Sequence, residues 1–403
     1  MKKEQELFLD ILRHAIHGDL PEPKEEIRQN LGRILRLAGI HMVYPLAADA
    51  LYGMFPDAMD SYTEHAVQQA VEQAERTAGF IVLYRRMKSA GLCPLVMKGI
   101  VCRNLYPEPE LRPSVDEDLL IIPDDIRRYH SFLMGEGFAP ADPEVSLETA
   151  AEISYTHPNQ HIYLEVHKYL FPPKDERYGE LNALFADWEE QTEVRVYGTE
   201  LKSLGYTDHF LYMLCHAYKH FIYSGIGIRQ FCDMALFAEN YGASIDWEKL
   251  FEKCRQKHLD LFLKAVLKIC AGHLGMDEQK AGYQTVFTVQ DTDEMPMLLD
   301  VLSGGIYGAQ DENRLHSANI TLTAVSGKKS RREKNWLTGS LFPSYPYMAH
   351  AYPYLKKRPY LLPVAWMQRI GRYLMRSRKS VDPGKTVEIG KQRIELLKKY
   401  NLL

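Results

Sequence analysis

Arg112-Pro113-Ser114-Val115-Asp116-Glu117-Asp118-Leu119-Leu120-Ile121-Ile122 is the stretch on which the reading of this chain turns. The four apolar residues after Asp118 mark a buried strand, with Ser114 to Ile122 as its span. Residues two apart on a strand share a face. Asp116 and Asp118 therefore stand side by side, with Leu119 and Ile121 turned the other way. Two carboxylates on one face raise each other's pKa unless a cation sits between them. A hard dication such as Mg²⁺ takes oxygen ligands and leaves room for substrate phosphates. Glu117 lies between the two aspartates and would face the buried side. That position is costly for an unpaired carboxylate, so either the strand begins at Asp118 or Glu117 has a partner.

A third acid comes from Ile162-Tyr163-Leu164-Glu165-Val166-His167. Its apolar residues alternate with Tyr163, Glu165 and His167, which gives a strand with one polar face. In two-metal phosphoryl transfer a third carboxylate can deprotonate or orient the attacking hydroxyl. Upstream, Met97-Lys98-Gly99-Ile100 reads as a strand running through a glycine into a helix. Such a junction can present backbone N–H groups to phosphate. Lys98 adds a point charge, and Arg112 adds a cation that can pair bidentately with phosphate.

A helix then carries His216, Lys219 and His220, followed by Arg229 and Asp233. His216 and His220 share a face. Theirs is the spacing of a zinc-binding helix, but position 217 is alanine where that motif has glutamate. The preferred reading is a polar face turned to a cleft, with Lys219, His220 or Arg229 on a substrate. His167, His216 and Asp233 would stand behind the direct ligands. In the plainer alternative, Asp233 makes a buried hydrogen bond to one of these helix residues, and Asp116 and Asp118 lie on a solvated strand edge.

Around these motifs the chain divides into four stretches. Residues 1–90 read as helical, with apolar residues at helical spacing and a stop at Ala90-Gly91. Residues 91–205 read as an α+β unit carrying the polar chemistry. It includes a β-hairpin of Ala151–Thr156 and His161–Tyr169 around His157-Pro158-Asn159-Gln160. Residues 206–280 are helical again, with Thr207 or Asp208 able to cap the first helix. Residues 281–403 are the last stretch, in which 281–340 read as irregular, with glycines at 304, 305 and 308 and a basic loop from Lys328 to Lys334. An extended Pro/Tyr-rich linker, Phe342–Pro363, follows, and a helix starts near Pro363.

Composition narrows the class. The chain has 403 residues, 46% apolar and 25% charged, as in globular proteins. None of the six cysteines forms a CxxC pair, so no zinc ribbon or thioredoxin-like site is indicated. The N-terminus leads into an amphipathic pattern, and no apolar run approaches the ~18–20 residues that span a bilayer. The cytoplasm is the default expectation. Charge is uneven: from Gly327 onward there are 18 Lys/Arg against 4 Asp/Glu, a balance of +14, and the net charge of -4 leaves -18 for residues 1–326. Packing of the basic segment on the acidic body is the preferred reading. The alternative is a membrane surface met by the amphipathic segment 361–379, with Leu362, Trp366, Ile370 and Leu374 on one face and Arg369, Arg372, Arg376 and Lys379 on another. No sequence-specific nucleic-acid motif is present.

The motifs together resemble an uncharacterised nucleotidyltransferase family of bacteria, a branch of the polymerase-β-like superfamily. The resemblance rests on Lys98-Gly99, Leu105-Tyr106-Pro107, Arg112, Asp116-Glu117-Asp118-Leu119-Leu120 and Glu165-Val166-His167, with the helical motifs His216-Ala217-Tyr218-Lys219-His220 and Arg229-Gln230-Phe231-Cys232-Asp233. It runs from about residue 30 to 380. It implies an α+β fold: a nucleotidyltransferase-type mixed sheet with flanking helices, between N- and C-terminal helical regions. It also implies Mg²⁺ (or Mn²⁺), an NTP substrate, and nucleotidyl transfer to an unknown small-molecule or protein acceptor. Asp116, Asp118 and Glu165 would be the metal ligands and catalytic acids. Lys98, Gly99, Arg112, Lys219, His220 and Arg229 would bind the nucleotide. The wider superfamily has Gly-Ser or Gly-Gly at the junction, whereas Ile100 follows Gly99 here, and Glu117 stands where an apolar residue is usual. Both departures favour the alternative of a catalytically degenerate binding protein, a nucleotide sensor or a toxin–antitoxin component.

Overall fold

The strand carrying Asp116 and Asp118 forms over Asp116–Leu120 and lies in the middle of a seven-stranded sheet. The computed structural model describes residues 1–175, 178–187, 191–223, 225–305, 312–327, 342, 345, 348, 352–356, 358–376 and 382–403. The strands are β1 (Leu95–Met97), β2 (Asp116–Leu120), β3 (Ala139–Pro140), β4 (Glu152–His157), β5 (Gln160–His167), β6 (Thr192–Val196) and β7 (Thr199–Ser203). Their order is β3-β4-β5-β2-β1-β7-β6. β2 runs antiparallel to β1 and parallel to β5, so the sheet is mixed. Alternation in 151–169 produced the hairpin as expected, β4 pairing antiparallel with β5.

Register decides which side chains meet. Asp118 pairs with Glu165, and Glu165 with Ser154; Leu120 pairs with His167, and His167 with Glu152. Asp116, Asp118, Glu165, His167 and Glu152 therefore share one face of three adjacent strands. Leu119, Leu164, Val166, Ile153 and Tyr155 occupy the opposite face and are buried.

The helices are α1 (Lys3–Ala15), α2 (Glu25–Gln29), α3 (Leu31–Ile40), α4 (Tyr44–Met54), α5 (Pro56–Ser89), α6 (Gly99–Arg103), α7 (Ile126–Gly135), α8 (Tyr206–Tyr223), α9 (Ile228–Tyr241), α10 (Trp247–Gln256), α11 (Asp260–Leu274), α12 (Glu278–Ala281), α13 (Met295–Gly304), α14 (Glu312–Gly327), α15 (Leu362–Arg376) and α16 (Pro383–Lys399). α5 packs on the apolar face, where Gly79 admits Ile162: a Cβ there would lie 2.9 Å from the Ile162 Cδ1. α8 covers the polar side and brings His209 and Tyr212 to Lys98. Five cysteines are buried and free, and Cys93 is exposed.

Three expectations need correction. Thr207 and Asp208 do not cap α8, which starts at Tyr206. Thr207 Oγ1 instead accepts from the Asp246 amide at 3.0 Å, and Asp208 pairs with Lys253 at 3.2 Å. Residues 281–340 are not irregular throughout, because α13 and α14 form there; Pro296 falls in the first turn of α13, where its missing N–H costs nothing. The Phe342–Pro363 linker, where described, contains the 3₁₀ turns Pro353–Lys356 and Pro359–Leu361. The loop Lys328–Lys334, Gly308 and residues 377–379 lie outside the described residues.

Where described, the basic C-terminal region meets acids of the body. Arg393 meets Asp300 at 2.8 Å, a carboxylate that Arg314 of the body also holds at 2.7 Å, and Lys399 reaches Asp293 at 2.6 Å. Trp366 of α15 packs against Phe342, ring centroids 5.3 Å apart. Among the described residues no helix is long and apolar enough to cross a membrane.

Candidate active site

The polar face of β2, β4 and β5 gathers four carboxylates around two cationic groups. The Lys98 ammonium lies 3.1 Å from Asp118 Oδ2, and His167 Nε2 donates to Asp118 Oδ1 at 3.0 Å. The same Nε2 is 3.6 Å from Glu165 Oε2, and Nδ1 faces Glu152 Oε2 at 3.4 Å. Burial works against the charge of each group, but the pairing outweighs it. Lys98 is held above its ordinary range by Asp118, and His167 is raised to about 9 by Asp118 and Glu165. Asp118 is driven well below the usual carboxylate range by Lys98 and His167. Asp116 moves up, through burial and the Asp118 charge beside it.

A strained turn delivers Lys98 to this face. Met97 pairs with Asp118 across β1 and β2, and Lys98 follows at φ 46°, ψ −116°, a conformation that L-residues rarely adopt. Its amide donates to His209 Nε2 at 2.9 Å. His209 Nδ1 is 3.1 Å from Ser203 Oγ, which in turn donates to the Val96 carbonyl at 2.8 Å. Burial, then Lys98, push His209 down to about 3, so the ring is neutral and its Nε2 is free to accept. On the other side of the turn, Glu117 Oε2 accepts from the Ile100 amide at 2.9 Å, and its second oxygen takes the Arg103 guanidinium. Glu117 therefore lies on the strand and is paired. It also explains Gly99, where a Cβ would stand 2.3 Å from Glu117 Oε2. The Ile100 N–H that the sequence offered to phosphate is taken by the protein's own carboxylate.

A cleft beside the sheet is lined by Lys98, Arg112, Asp116, Asp118, His216 and Arg229, among others. Arg112 turns its fork to Asp233: Nε meets Oδ1 at 2.9 Å and Nη2 meets Oδ2 at 2.5 Å. Tyr106 donates to the same carboxylate at 2.9 Å. The bidentate face of Arg112 is thus engaged by Asp233, while Nη1 is buried with no hydrogen-bond partner among the described residues. The plainer alternative gave Asp233 a partner on the helices, but its partners are Arg112 and Tyr106. Arg229 donates to the Pro113 carbonyl. His216 and His220 meet each other, Nε2 to Nε2 at 3.1 Å; burial and the nearby lysines keep both neutral, His220 at about 3. Lys219 lies over the Tyr178 ring, 5.4 Å from its centroid, with its charge felt by Glu152 and His216.

Two residues that the sequence reading did not single out belong here. Glu152 heads the alternation Glu152-Ser154-Thr156 on the polar face, but only the register shows that it meets His167. His209 precedes His216 by seven residues, two helical turns, so a stripe along α8 was the available signal.

The donor set suits a divalent cation. Among the described residues, one ligand atom each from Asp118, Glu165 and His167 lies within 4.8 Å of the others; Asp116 is not part of that group. Carboxylate oxygens and an imidazole nitrogen are ordinary ligands of such ions.

Comparison with known proteins adds one match. No curated protein and no solved structure matches the chain. A family model described as "Uncharacterised nucleotidyltransferase" matches residues 28–275, which takes in β1 to β7 and helices α3 to α11. The matched region covers more than half of the chain, and the chain belongs to this uncharacterised nucleotidyltransferase family.

Proposed function

We propose that the chain transfers a nucleoside monophosphate from an NTP to a hydroxyl of a small-molecule or protein acceptor, with Mg²⁺ or Mn²⁺ as the cation. The observation that carries this reading is the meeting of Asp118, Glu165 and His167 within 4.8 Å, with Asp116 beside them on β2. Family membership makes the reaction class the one to test. Asp118 and Glu165 would hold the cation, with Asp116 on the same strand face. The bound cation would supply positive charge against the phosphoryl oxygens and orient them.

The chain's own groups do the rest. Lys98, Arg112 and Arg229 line the cleft and offer positive charge to a triphosphate. Because Glu117 takes the Ile100 amide, phosphate recognition falls to these side chains. The acceptor oxygen bonds to the α-phosphorus, the bond from that phosphorus to the departing pyrophosphate breaks, and the acceptor proton passes to a carboxylate. Glu165 is the carboxylate for that proton: its side chain is 24% exposed, against 3% for Asp118, so an acceptor can reach it.

One observation favours a second reading, a nucleotide-binding protein without transfer: Glu117 fills the place where a phosphate would meet the junction. Incubation with α-labelled NTP, metal ion and a cell lysate separates the two. Transfer predicts label on an acceptor with wild type and none with Asp118→Asn. Bound nucleotide with no labelled product would leave only the second reading.

A further inference from the structure

We infer that His167 is itself a ligand of the dication, held in place by Glu152, and that the site therefore selects a Mn²⁺-type transition ion over Mg²⁺. The inference rests on a dication entering the site as in the proposed transfer, and concerns which atoms receive it.

Three observations converge. First, His167 Nε2 is directed into the carboxylates: it stands 3.0 Å from Asp118 Oδ1 and 3.6 Å from Glu165 Oε2. Two ligands each about 2.1 Å from one ion are about 3.0 Å apart at a right angle and farther apart at wider angles. These separations are those of atoms able to share an ion, and the ion would replace the Nε2 proton that now bridges to Asp118. Second, Glu152 Oε2 lies 3.4 Å from Nδ1, the other ring nitrogen. A metal-bound histidine almost always gives its second N–H to a carboxylate or carbonyl, which fixes ring and tautomer. Third, the ring is 7% exposed, and its register opposite Glu152 on one side and Leu120 on the other leaves it little freedom.

The ligand set is then two carboxylates and an imidazole. Mg²⁺ favours oxygen and keeps much of its water, whereas first-row transition dications gain from an imidazole nitrogen. Asp116 stands outside this group.

The test is metal binding by the full chain, stripped of metal with chelator and without nucleotide. Mn²⁺ is titrated while the electron paramagnetic resonance signal of the free ion is followed, and Mg²⁺ is added as competitor. Wild type is expected to bind Mn²⁺ at least about tenfold tighter than Mg²⁺. His167→Asn should bring that ratio near one while Mg²⁺ affinity changes little. Glu152→Gln, a conservative change at a partly exposed position, should weaken Mn²⁺ by about 10- to 100-fold. A His167→Asn variant that keeps the full Mn²⁺ preference, or a Glu152→Gln variant with unchanged Mn²⁺ affinity, overturns the inference and leaves the transfer reading standing. Absence of Mn²⁺ and Mg²⁺ binding by wild type, with and without NTP, overturns both.

Discussion

Glu117 and Gly99 form one unit. The glutamate is the single acid on the apolar face of β2, made tolerable by Arg103 and the Ile100 amide, and the glycine leaves the space it occupies. Removing one partner of a buried ion pair costs about 3–5 kcal/mol, because the other charge stays buried alone. Glu117→Leu should lose stability on that scale in urea unfolding, since Arg103 is 1% exposed; a loss under about 1 kcal/mol would mean that Arg103 finds another partner. His209 acts on the other side of the same turn. His209→Leu removes the acceptor of the Lys98 amide and should weaken NTP binding by about tenfold, with little further effect in a Lys98→Ala background. Equal losses in both backgrounds would show that His209 does not work through Lys98. The sequence made Lys98, Asp116, Asp118 and Glu165 visible, because alternation and a strand–glycine–helix junction are local signals. Arg103 as the partner of Glu117 was not legible, since nothing in a sequence says which arginine turns inward. Asp233 and Arg112 are 121 residues apart and join only when α9 is set beside the sheet.

Among elements, α8 carries the most. It presents His209, Tyr212 and His216 to the site, and its last turn is held by Arg393 of α16, which donates to the Phe221 carbonyl and pairs with Asp300 of α13. A cation at a helix C-terminus is favourable, and this one is buried. Asp300→Ala removes the carboxylate shared by Arg393 and Arg314 and should cost about 3–5 kcal/mol. Amide exchange in the last turn of α8 should speed up before that of β2. Uniform acceleration across the chain would contradict the idea that α16 anchors α8. The hairpin and the long helix that ends before Ala90-Gly91, α5, were readable because their patterns are long and regular. α13 was hidden by its proline and by the glycines at its end, features that mark loops unless their position in the first and last turns is known.

At the scale of the whole molecule, histidines set the pH range of stability. His41, His209 and His220 are kept neutral by burial and lowered to about 4, 3 and 3, from an ordinary value near 6.5. Below about pH 6.5 the unfolded chain gains protons that these rings refuse, so their contribution to stability falls as pH falls toward those values. His167 runs the other way. Its folded value near 9 lies above the unfolded one, so its contribution is full below about 6.5 and is lost as pH rises through 9. The melting temperature should peak near neutrality and decline toward both about pH 5 and about pH 9.5. A plateau across that span would contradict these assignments. Charge at this scale agrees with the preferred sequence reading where the basic tail is described, in Arg393 and Lys399 against Asp300 and Asp293.

The central claim is that the sheet face carrying Asp118 and Glu165, with Asp116 beside them, binds a metal–nucleotide complex. Calorimetric titration of each of the four NTPs in the presence of Mg²⁺ or Mn²⁺, with wild type and Asp116→Ala/Asp118→Ala, tests it most directly. The account predicts saturable, metal-dependent binding of at least one NTP by wild type and none by the double variant, with both folded. Absence of NTP binding by wild type, or equal binding by the double variant, would contradict it.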